Sequence, residues 1–302
     1  MNFSHKIDVV QNIGTTEFNN KYFNPQKPVI IKGLADAQIA GNKWSINYFR
    51  ETMGDVQIDV FDNGNKKNKA SAFTSPDLKM KLRDYLDLIT KGENSDLRIF
   101  LFNLFKYNPQ LSKEFPCPEI MNGLLGNIGY MFFGGKGTTV RIHYDIDMSS
   151  VMHTHFGGRK KIILIPPIYS TLLYCLPFNT YSLIDLDKPD FNKYPGLEYI
   201  NGYECILEHG DSLFMPSGYW HYMTYLDSSF SVSYRKLAPD FKTKTEGLLN
   251  LAVYMPFDKL LNMFLKDKWL QLKERVAEER ANEIITAYNE VASFVSNNGM
   301  PL

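Results

Sequence analysis

Cysteine is scarce in this chain, and no stretch of it stays apolar for long. The three cysteines among the 302 residues, Cys117, Cys175 and Cys205, lie far apart and form no CxxC pair. This argues against both a disulfide framework and a zinc finger. No apolar run reaches the length of a membrane span, and the start, MNFSHKIDVV, lacks a charged segment followed by an apolar one. We therefore expect a reduced, soluble, cytoplasmic protein.

The chain also lacks an excess of charge of either sign. Lysine and arginine together number 33, as do aspartate and glutamate, so the formal net charge is zero. A nucleic-acid partner is therefore disfavoured. The basic stretch NGNKKNKAS at 63–71 is expected to be a solvated turn, with a binding patch as the alternative.

Hydrophobic and aromatic residues, by contrast, are plentiful. The sequence is 44% hydrophobic and contains 21 Phe and 18 Tyr, which favours a β-rich fold with a sizeable core. Short strand-like runs recur between about residues 98 and 236, separated by Gly, Pro and Asp, and predict an antiparallel sandwich or barrel. The stretch 75–92 begins with Ser75 and Pro76 and ends at Gly92, a pattern that predicts a helix over most of it.

Two further segments have patterns of their own. The longest gap between strand-like runs, 168–200, is expected to cross the mouth of the barrel, where functional loops are common. After about residue 241, apolar residues recur at helical spacing and predict two or three helices with a break at Pro256. The predicted organisation is thus a catalytic domain over 1–240, with its core at about 98–236, followed by a helical region over 241–302.

The stretch RIHYDIDMSS at 141–150 carries the chemistry. In a strand its polar residues His143, Asp145 and Asp147 alternate and so point to the same face. His221 follows about eighty residues later, at the end of GDSLFMPSGYWH. Two imidazoles and one carboxylate with other positions open form the facial triad of non-haem Fe(II) oxygenases, in which a co-substrate and O₂ both need access to the iron. The HxH at His153 and His155 is not expected to be the metal site.

In this context the sequence resembles the cupin-like JmjC group of Fe(II)- and 2-oxoglutarate-dependent oxygenases, in the branch that contains factor inhibiting HIF. The matching pieces occur in the same order and span roughly residues 15–237: KPVIIKG, HYD, GGRKKIILIPP, DLDKPDFNKYP, GDSLFMPSGYWH and SVSYR. The resemblance implies a mainly β fold, namely a double-stranded β-helix (jelly-roll) core with flanking and C-terminal helices. It also implies that His143, Asp145 and His221 bind Fe(II) and that Lys160 pairs with the distal carboxylate of 2-oxoglutarate.

Two departures from that branch concern the co-substrate. A tyrosine and a threonine that assist at the 2-oxoglutarate carboxylate appear here as Phe100 and Val140, so two hydroxyl groups are missing and other partners are needed. The candidates from the sequence are His153, Thr139 and Arg235, and for Arg235 the preferred alternative is a structural role at the barrel rim.

A third departure concerns the prime substrate. The Arg-Gln pair by which that branch recognises an asparagine amide appears as Thr180 and Tyr181, so asparaginyl hydroxylation in particular is not expected. The resemblance implies hydroxylation of a protein side chain, with succinate and CO₂ as co-products. The alternatives are an oxygenase for a small molecule or a modified tRNA base, and a non-catalytic metal- or ligand-binding cupin.

Other expectations concern the surroundings of the site and the assembly. Asp147 is expected to lie near the substrate, as a selectivity residue or as a turn former at the end of the strand, and Tyr181 is also placed near the substrate. The resemblance further implies a homodimer formed through the C-terminal helices.

Overall fold

The computed structural model describes residues 1–62, 76–91, 96–125 and 128–297. The basic stretch 63–71 therefore falls outside the described residues, as do Ser75 and Gly92. The described strands are β1 (Asn2–His5), β2 (Asp8–Gln11), β3 (Val29–Lys32), β4 (Gln57–Asp62), β5 (Leu78–Lys81), β6 (Leu97–Phe102), β7 (Tyr130–Gly134), β8 (Thr139–His143), β9 (Ser150–Phe156), β10 (Lys160–Ile165), β11 (Asn201–Leu207), β12 (Ser212–Met215), β13 (Trp220–Tyr225) and β14 (Ser229–Lys236).

The α-helices lie mainly at the two ends of the chain. They are α1 (Thr15–Phe18), α2 (Ile39–Lys43), α3 (Ile46–Met53), α4 (Leu82–Thr90), α5 (Leu111–Glu114), α6 (Phe241–Leu249), α7 (Met255–Leu265) and α8 (Asp267–Asn297). Shorter 3₁₀ segments occupy Leu104–Lys106, Glu119–Met121, Pro167–Tyr169 and Pro195–Tyr199, and π-helical turns occupy Asn19–Phe23 and Asn250–Tyr254. Within the described ranges, no helix has both the length and the apolar character that crossing a bilayer requires.

The described strands form two sheets that face each other. One has the order β1-β11-β10-β13-β8 and the other the order β2-β3-β12-β9-β14-β7-β6-β4-β5. Apolar side chains from both sheets, such as Ile162, Leu213 and Met223, pack together between them. The fold is therefore the expected jelly-roll core with C-terminal helices, and its sheets also take in the strands that precede residue 98.

The outer faces of both sheets are covered. Helices α3 and α4 pack with Phe49 and Leu86 against the longer sheet. The segment expected to cross the barrel mouth, 168–200, packs mostly outside the shorter sheet, where Leu173 and Leu197 meet α8 through Ala277. Its stretch around 180–182 hydrogen-bonds to the backbone of β8. This segment therefore reaches the site along one sheet edge.

Two local predictions from the sequence were wrong. The stretch 75–92 was expected to be mostly helical, but its first part forms β5, because Met80 pairs with Ile58 of the neighbouring strand, and such pairing outweighs local helix propensity. The break expected at Pro256 lies instead at Lys266, whose φ is 45°. Pro256 occupies the first turn of α7, where a missing N–H removes no helical hydrogen bond.

Candidate metal and co-substrate site

Strand pairing brings the three predicted metal ligands together. His143 ends β8 and lies directly opposite His221 of β13, and their ring centroids are 4.2 Å apart. Asp145 follows two residues after His143, and the ligand atoms of the three side chains all lie within 4.8 Å of one another. Among the described residues, this is the sole group of His, Cys, Asp and Glu with metal-binding spacing. His153 and His155 are not part of it, in agreement with the prediction that their HxH is not the metal site.

Each imidazole has one nitrogen available for a metal. The Nδ1 atom of His143 lies 2.8 Å from the carbonyl oxygen of Arg141, and Nδ1 of His221 lies 3.1 Å from that of Tyr219. A carbonyl oxygen can only accept, so Nδ1 carries the proton in both rings. This leaves the Nε2 lone pairs for a cation and fixes the orientation of the rings, as backbone carbonyls commonly do for metal-binding histidines.

The three side chains are in the protonation state that metal binding needs. Burial lowers the pKa of His143 to about 3, with a further contribution from neighbouring His221, and burial also lowers the pKa of His221. Burial alone would raise the pKa of Asp145, but the charge of Arg235, the two neighbouring imidazoles and the hydrogen bond from Arg235 together outweigh burial and lower that pKa to about 2. At neutral pH the site thus holds two neutral imidazoles and a carboxylate, which fits Fe(II).

Because these imidazoles are already neutral, we expect metal affinity to depend little on pH. Mn(II) affinity, measured by calorimetry between about pH 5.5 and 8, should therefore change by much less than about 100-fold. Two imidazoles with the ordinary pKa of 6.5 would instead lose about 100-fold at the acid end, about tenfold for each ring. A 100-fold loss would show that the rings are not held in the neutral form.

Arg235 holds the metal-binding loop. Its guanidinium donates to Oδ1 of Asp145 at 3.1 Å and to Oδ1 of Asp147 at 2.8 Å, and also to Oγ of Ser149 at 2.9 Å. Asp147 in turn accepts from the backbone and hydroxyl of Ser149. These contacts match the rim role preferred for Arg235 and the turn-forming alternative for Asp147, and they orient the carboxylate of Asp145.

Lys160 lies inside the barrel as a buried cation. Its side chain is fully buried, and Nζ donates to Oγ of Ser231 at 2.7 Å and contacts Nε2 of His153 at 3.2 Å. Nζ also lies 4.0 Å from the ring centre of Tyr225. Burial holds the pKa of Lys160 well below its usual range, and no described carboxylate forms an ion pair with it.

This environment fits an anionic co-substrate. A buried ammonium without a counter-charge is costly, and a carboxylate bound beside it would offset that cost. The sequence predicted Lys160 and His153 here. It did not predict Ser231, although SVSYR places Ser231, Ser233 and Arg235 at every second position of β14, a visible signal of a polar inner face.

Three other residues that the sequence connected with the co-substrate, Thr139, Val140 and Phe100, do not offer it a hydroxyl group. Thr139 pairs with Thr224. Thr224 follows the inward-facing Met223 on β13 and therefore points outward. Because paired residues on neighbouring strands share a face, Thr139 also points outward, away from Lys160. Val140 packs with the interior apolar cluster. Phe100 packs against Phe61 with the two rings tilted relative to each other and their centroids 4.3 Å apart. Neither supplies a hydroxyl group to the pocket.

Tyr181 lies at the edge of the site. It forms an isolated bridge with His143 and is almost fully buried, and the guanidinium of Arg141 lies 4.2 Å from its ring centre. The structure therefore places Tyr181 beside the first metal ligand, and its role toward substrate stays a prediction.

Comparison with known proteins gives the chain a family. The profile of the family described as a cupin-like domain matches residues 15–235. Lysine-specific demethylase 8 of Danio rerio is 31% identical over 72% of this chain and 55% of its own length. Arginine-specific demethylase JMJ22 of Arabidopsis thaliana is 26% identical over 75% of this chain and 45% of its own. The tRNA wybutosine-synthesizing protein 5 of Gallus gallus is 22% identical over 72% of each chain.

The alignments support assignment of the chain to a family but not to one branch of that family. It spans about half the length of the first curated relatives it matches, and these relatives do not specifically support the factor-inhibiting-HIF branch. The broader prediction is confirmed, because the family profile covers most of the chain, and the matched range contains His143, Asp145 and His221, which could hold a metal ion. This chain belongs to the cupin-like JmjC family, which depends on Fe(II) and 2-oxoglutarate.

Proposed function

We propose that this chain is an Fe(II)- and 2-oxoglutarate-dependent dioxygenase that hydroxylates a C–H bond. One observation carries the proposal. The barrel interior contains both a group of three deprotonated side chains that could bind a metal and a buried lysine that has no counter-charge. His143, Asp145 and His221 would hold the iron, and Lys160 would hold the distal carboxylate of the co-substrate. When bound, the iron and 2-oxoglutarate supply O₂ activation coupled to decarboxylation, with succinate and CO₂ as products.

The protein itself contributes position and protonation state. The backbone carbonyls of Arg141 and Tyr219 fix the two imidazoles, and Arg235 fixes the carboxylate of Asp145. Because these groups are buried and already deprotonated, no proton has to leave when the metal binds. The alternative of a non-catalytic metal- or ligand-binding cupin is less favoured, since it does not require the metal donors and the buried lysine to occur together.

A protein side chain is our first proposal for the substrate. It is supported by the names of two relatives, a lysine-specific and an arginine-specific demethylase. A modified tRNA base is the second candidate, supported by similarity to a tRNA wybutosine-synthesizing protein. The balanced charge of 33 basic and 33 acidic residues weighs against RNA, which is bound largely through phosphate contacts.

The test is succinate formation. The purified chain, loaded with Fe(II) anaerobically and then exposed to O₂ with 2-oxoglutarate, should produce succinate even without substrate, at a low uncoupled rate. A candidate peptide or tRNA that raises this rate and gains the mass of one oxygen atom identifies the substrate class. A wild-type protein that binds neither Mn(II) nor 2-oxoglutarate would overturn the proposal.

We also propose that a second copy of the chain covers the C-terminal helices. In and around α7, large apolar side chains are exposed to an unusual degree, among them Leu248 at 66%, Met263 at 62% and Phe264 at 69%. Soluble monomers rarely expose such a continuous apolar surface, and a two-fold contact would pair it with itself.

Light scattering coupled to size-exclusion chromatography should therefore give a dimer at micromolar concentration. Phe264→Asp should shift the protein to a monomer, because it places a charge in the apolar contact, whereas Lys268→Ala, at an exposed charged position of α8, should leave the dimer intact. A monomeric wild type would contradict the proposal.

A further inference from the structure

The co-substrate pocket has one cation that the sequence did not single out, Arg98. This residue lies on β6 directly opposite Gly134 of β7. A Cβ atom built on Gly134 would come within 2.6 Å of the ring of Tyr225. Paired residues on neighbouring strands point to the same face, so the side chain of Arg98 leaves β6 on the side of the sheet where that ring lies.

The same Tyr225 ring is the one beneath Lys160. The ammonium of Lys160 lies 4.0 Å from its centre, so Lys160 and Arg98 approach one buried aromatic side chain from two different sheets. The next residue of β6, Ile99, faces the opposite way into the outer core, as alternation requires. Arg98 thus belongs to the interior of the barrel.

The guanidinium of Arg98 is not neutralised by the described part of the chain. Its Nε atom is buried and has no hydrogen-bond partner. Its Cζ atom lies 4.8 Å from the ring centre of Phe100, and no described carboxylate forms an ion pair with the guanidinium. Burial lowers the pKa of Arg98 to about 10, so the group stays charged at neutral pH.

The charge of Arg98 is also felt at the ring beneath Lys160. Burial raises the pKa of Tyr225, and the positive charge of Arg98 acts in the opposite direction. The guanidinium is therefore within electrostatic reach of that ring. A half-buried charge whose Nε atom has no hydrogen-bond partner is hard to explain as a structural feature, because it costs stability.

We propose that Arg98 is the second cation of the co-substrate pocket and that its guanidinium binds, together with Lys160, the distal carboxylate of 2-oxoglutarate. A carboxylate accepts up to about four hydrogen bonds. Phe100 and Val140 offer it none, Thr139 points outward, and Arg235 is occupied by Asp145 and Asp147. Arg98 supplies several N–H donors in a planar arrangement that suits a carboxylate.

The role of Arg98 depends on the proposed use of 2-oxoglutarate, and the experiment separates the two. Binding is measured by calorimetry on the full chain loaded with Mn(II), which avoids turnover. The two ligands are 2-oxoglutarate and 2-oxopentanoate, which keeps the metal-chelating 2-oxoacid and the chain length but ends in a methyl group. The variants are Arg98→Met, Arg98→Lys and, as a control, Arg159→Met, which removes an exposed arginine paired with Asp227.

Arg98→Met should weaken 2-oxoglutarate binding by about 10- to 100-fold, the range expected for a lost charge-assisted hydrogen bond, and leave 2-oxopentanoate and Mn(II) binding unchanged. Arg98→Lys should recover part of the loss, and Arg159→Met should behave like wild type. If wild type binds 2-oxoglutarate and Arg98→Met binds it equally well, the role of Arg98 is overturned while the proposed function stands. If wild type does not bind 2-oxoglutarate at all, both fail.

Thermal unfolding checks that the variants are folded. Since the substitution removes a half-buried charge that has no ion-pair partner, Arg98→Met should melt no lower than wild type. A loss of affinity for both ligands in a folded Arg98→Met protein would also count against the proposal, because it would indicate a general effect on the metal site rather than on the distal carboxylate.

Discussion

Replacing Asp145 with alanine should remove metal binding and, with it, succinate formation. Asp145 is the sole carboxylate in the described metal-binding group, and the two imidazoles left behind are neutral, so the variant lacks the negative charge that holds a divalent cation. We expect Mn(II) affinity to fall by about 1,000-fold or more, equivalent to about 4 kcal/mol. Calorimetry with Mn(II) and a succinate assay with Fe(II) measure the two effects.

The matched control is Asp147→Ala. Asp145 and Asp147 each accept a hydrogen bond from Arg235, and Asp147 also accepts two from Ser149, so Asp147→Ala disturbs the loop at least as much as Asp145→Ala. Only Asp145→Ala should remove a metal ligand. Asp147→Ala should therefore keep Mn(II) affinity within about tenfold of wild type, the lower range for residues that orient metal ligands. Equal losses in both variants would show that the loop, rather than one carboxylate, determines metal affinity.

Replacing Lys160 with methionine should have two opposite effects. Affinity for 2-oxoglutarate should fall by at least about 100-fold, because breaking a buried ion pair costs about 3–5 kcal/mol. The ligand-free protein should become more stable by roughly 1–3 kcal/mol, since a well-packed apolar side chain replaces a buried amine that has no counter-charge. The lost contact to Nε2 of His153 places the gain at the lower end of that range.

The stability gain should also depend on pH. The pKa of Lys160 is lowered in the folded state from its usual 10.5, so the unfolded chain binds more protons than the folded one in the pH range between the two values. Wild-type stability therefore rises with pH in that range, and the advantage of Lys160→Met shrinks as the pH approaches 10.5. The difference in unfolding free energy between Lys160→Met and wild type can be measured by denaturant unfolding without ligand at a series of pH values.

Lys161 provides the control for both effects. It is the next residue on β10, points to the opposite face and lies 3.9 Å from Glu204 with its side chain about 28% exposed. Lys161→Met should leave 2-oxoglutarate affinity and unfolding almost unchanged, because solvent-exposed ion pairs contribute at most about 1 kcal/mol. A Lys160→Met protein that binds 2-oxoglutarate like wild type would remove the lysine from the pocket.

The sequence was most informative where the signal was local. The HxD spacing indicated that His143 and Asp145 belong to one site, although the expected strand ends at His143 and Asp145 lies in the loop that follows it. The two-residue alternation of β10 separated Lys160 from Lys161. An antiparallel sandwich or barrel could be predicted because short strands with Gly and Pro between them recur over a long stretch, and the resemblance implied that it is a jelly roll. These features depend on neighbours along the chain, so they can be recognised without coordinates.

The sequence was least informative where a side chain's role depends on a distant partner. Arg235 contacts Asp145 and Asp147 across some ninety residues of chain, and nothing near Arg235 indicates which of several acidic residues it meets. The strand β5 was missed for the same reason, because its pairing with β4 is decided across the stretch between them.

Arg98 shows the difference most clearly. The sequence pattern of β6 drew attention to Phe100, two residues later, as the position of a missing hydroxyl group. The register of β6 against β7 shifts between Ile99 and Phe102, where Leu101 takes a φ of 52°, and a shift of one residue exchanges the two faces of a strand. The sequence alone therefore predicted the candidate metal ligands, Lys160 and the fold class. Only the tertiary structure decided which neighbouring cations point inward, because that follows from long-range strand register rather than from local pattern.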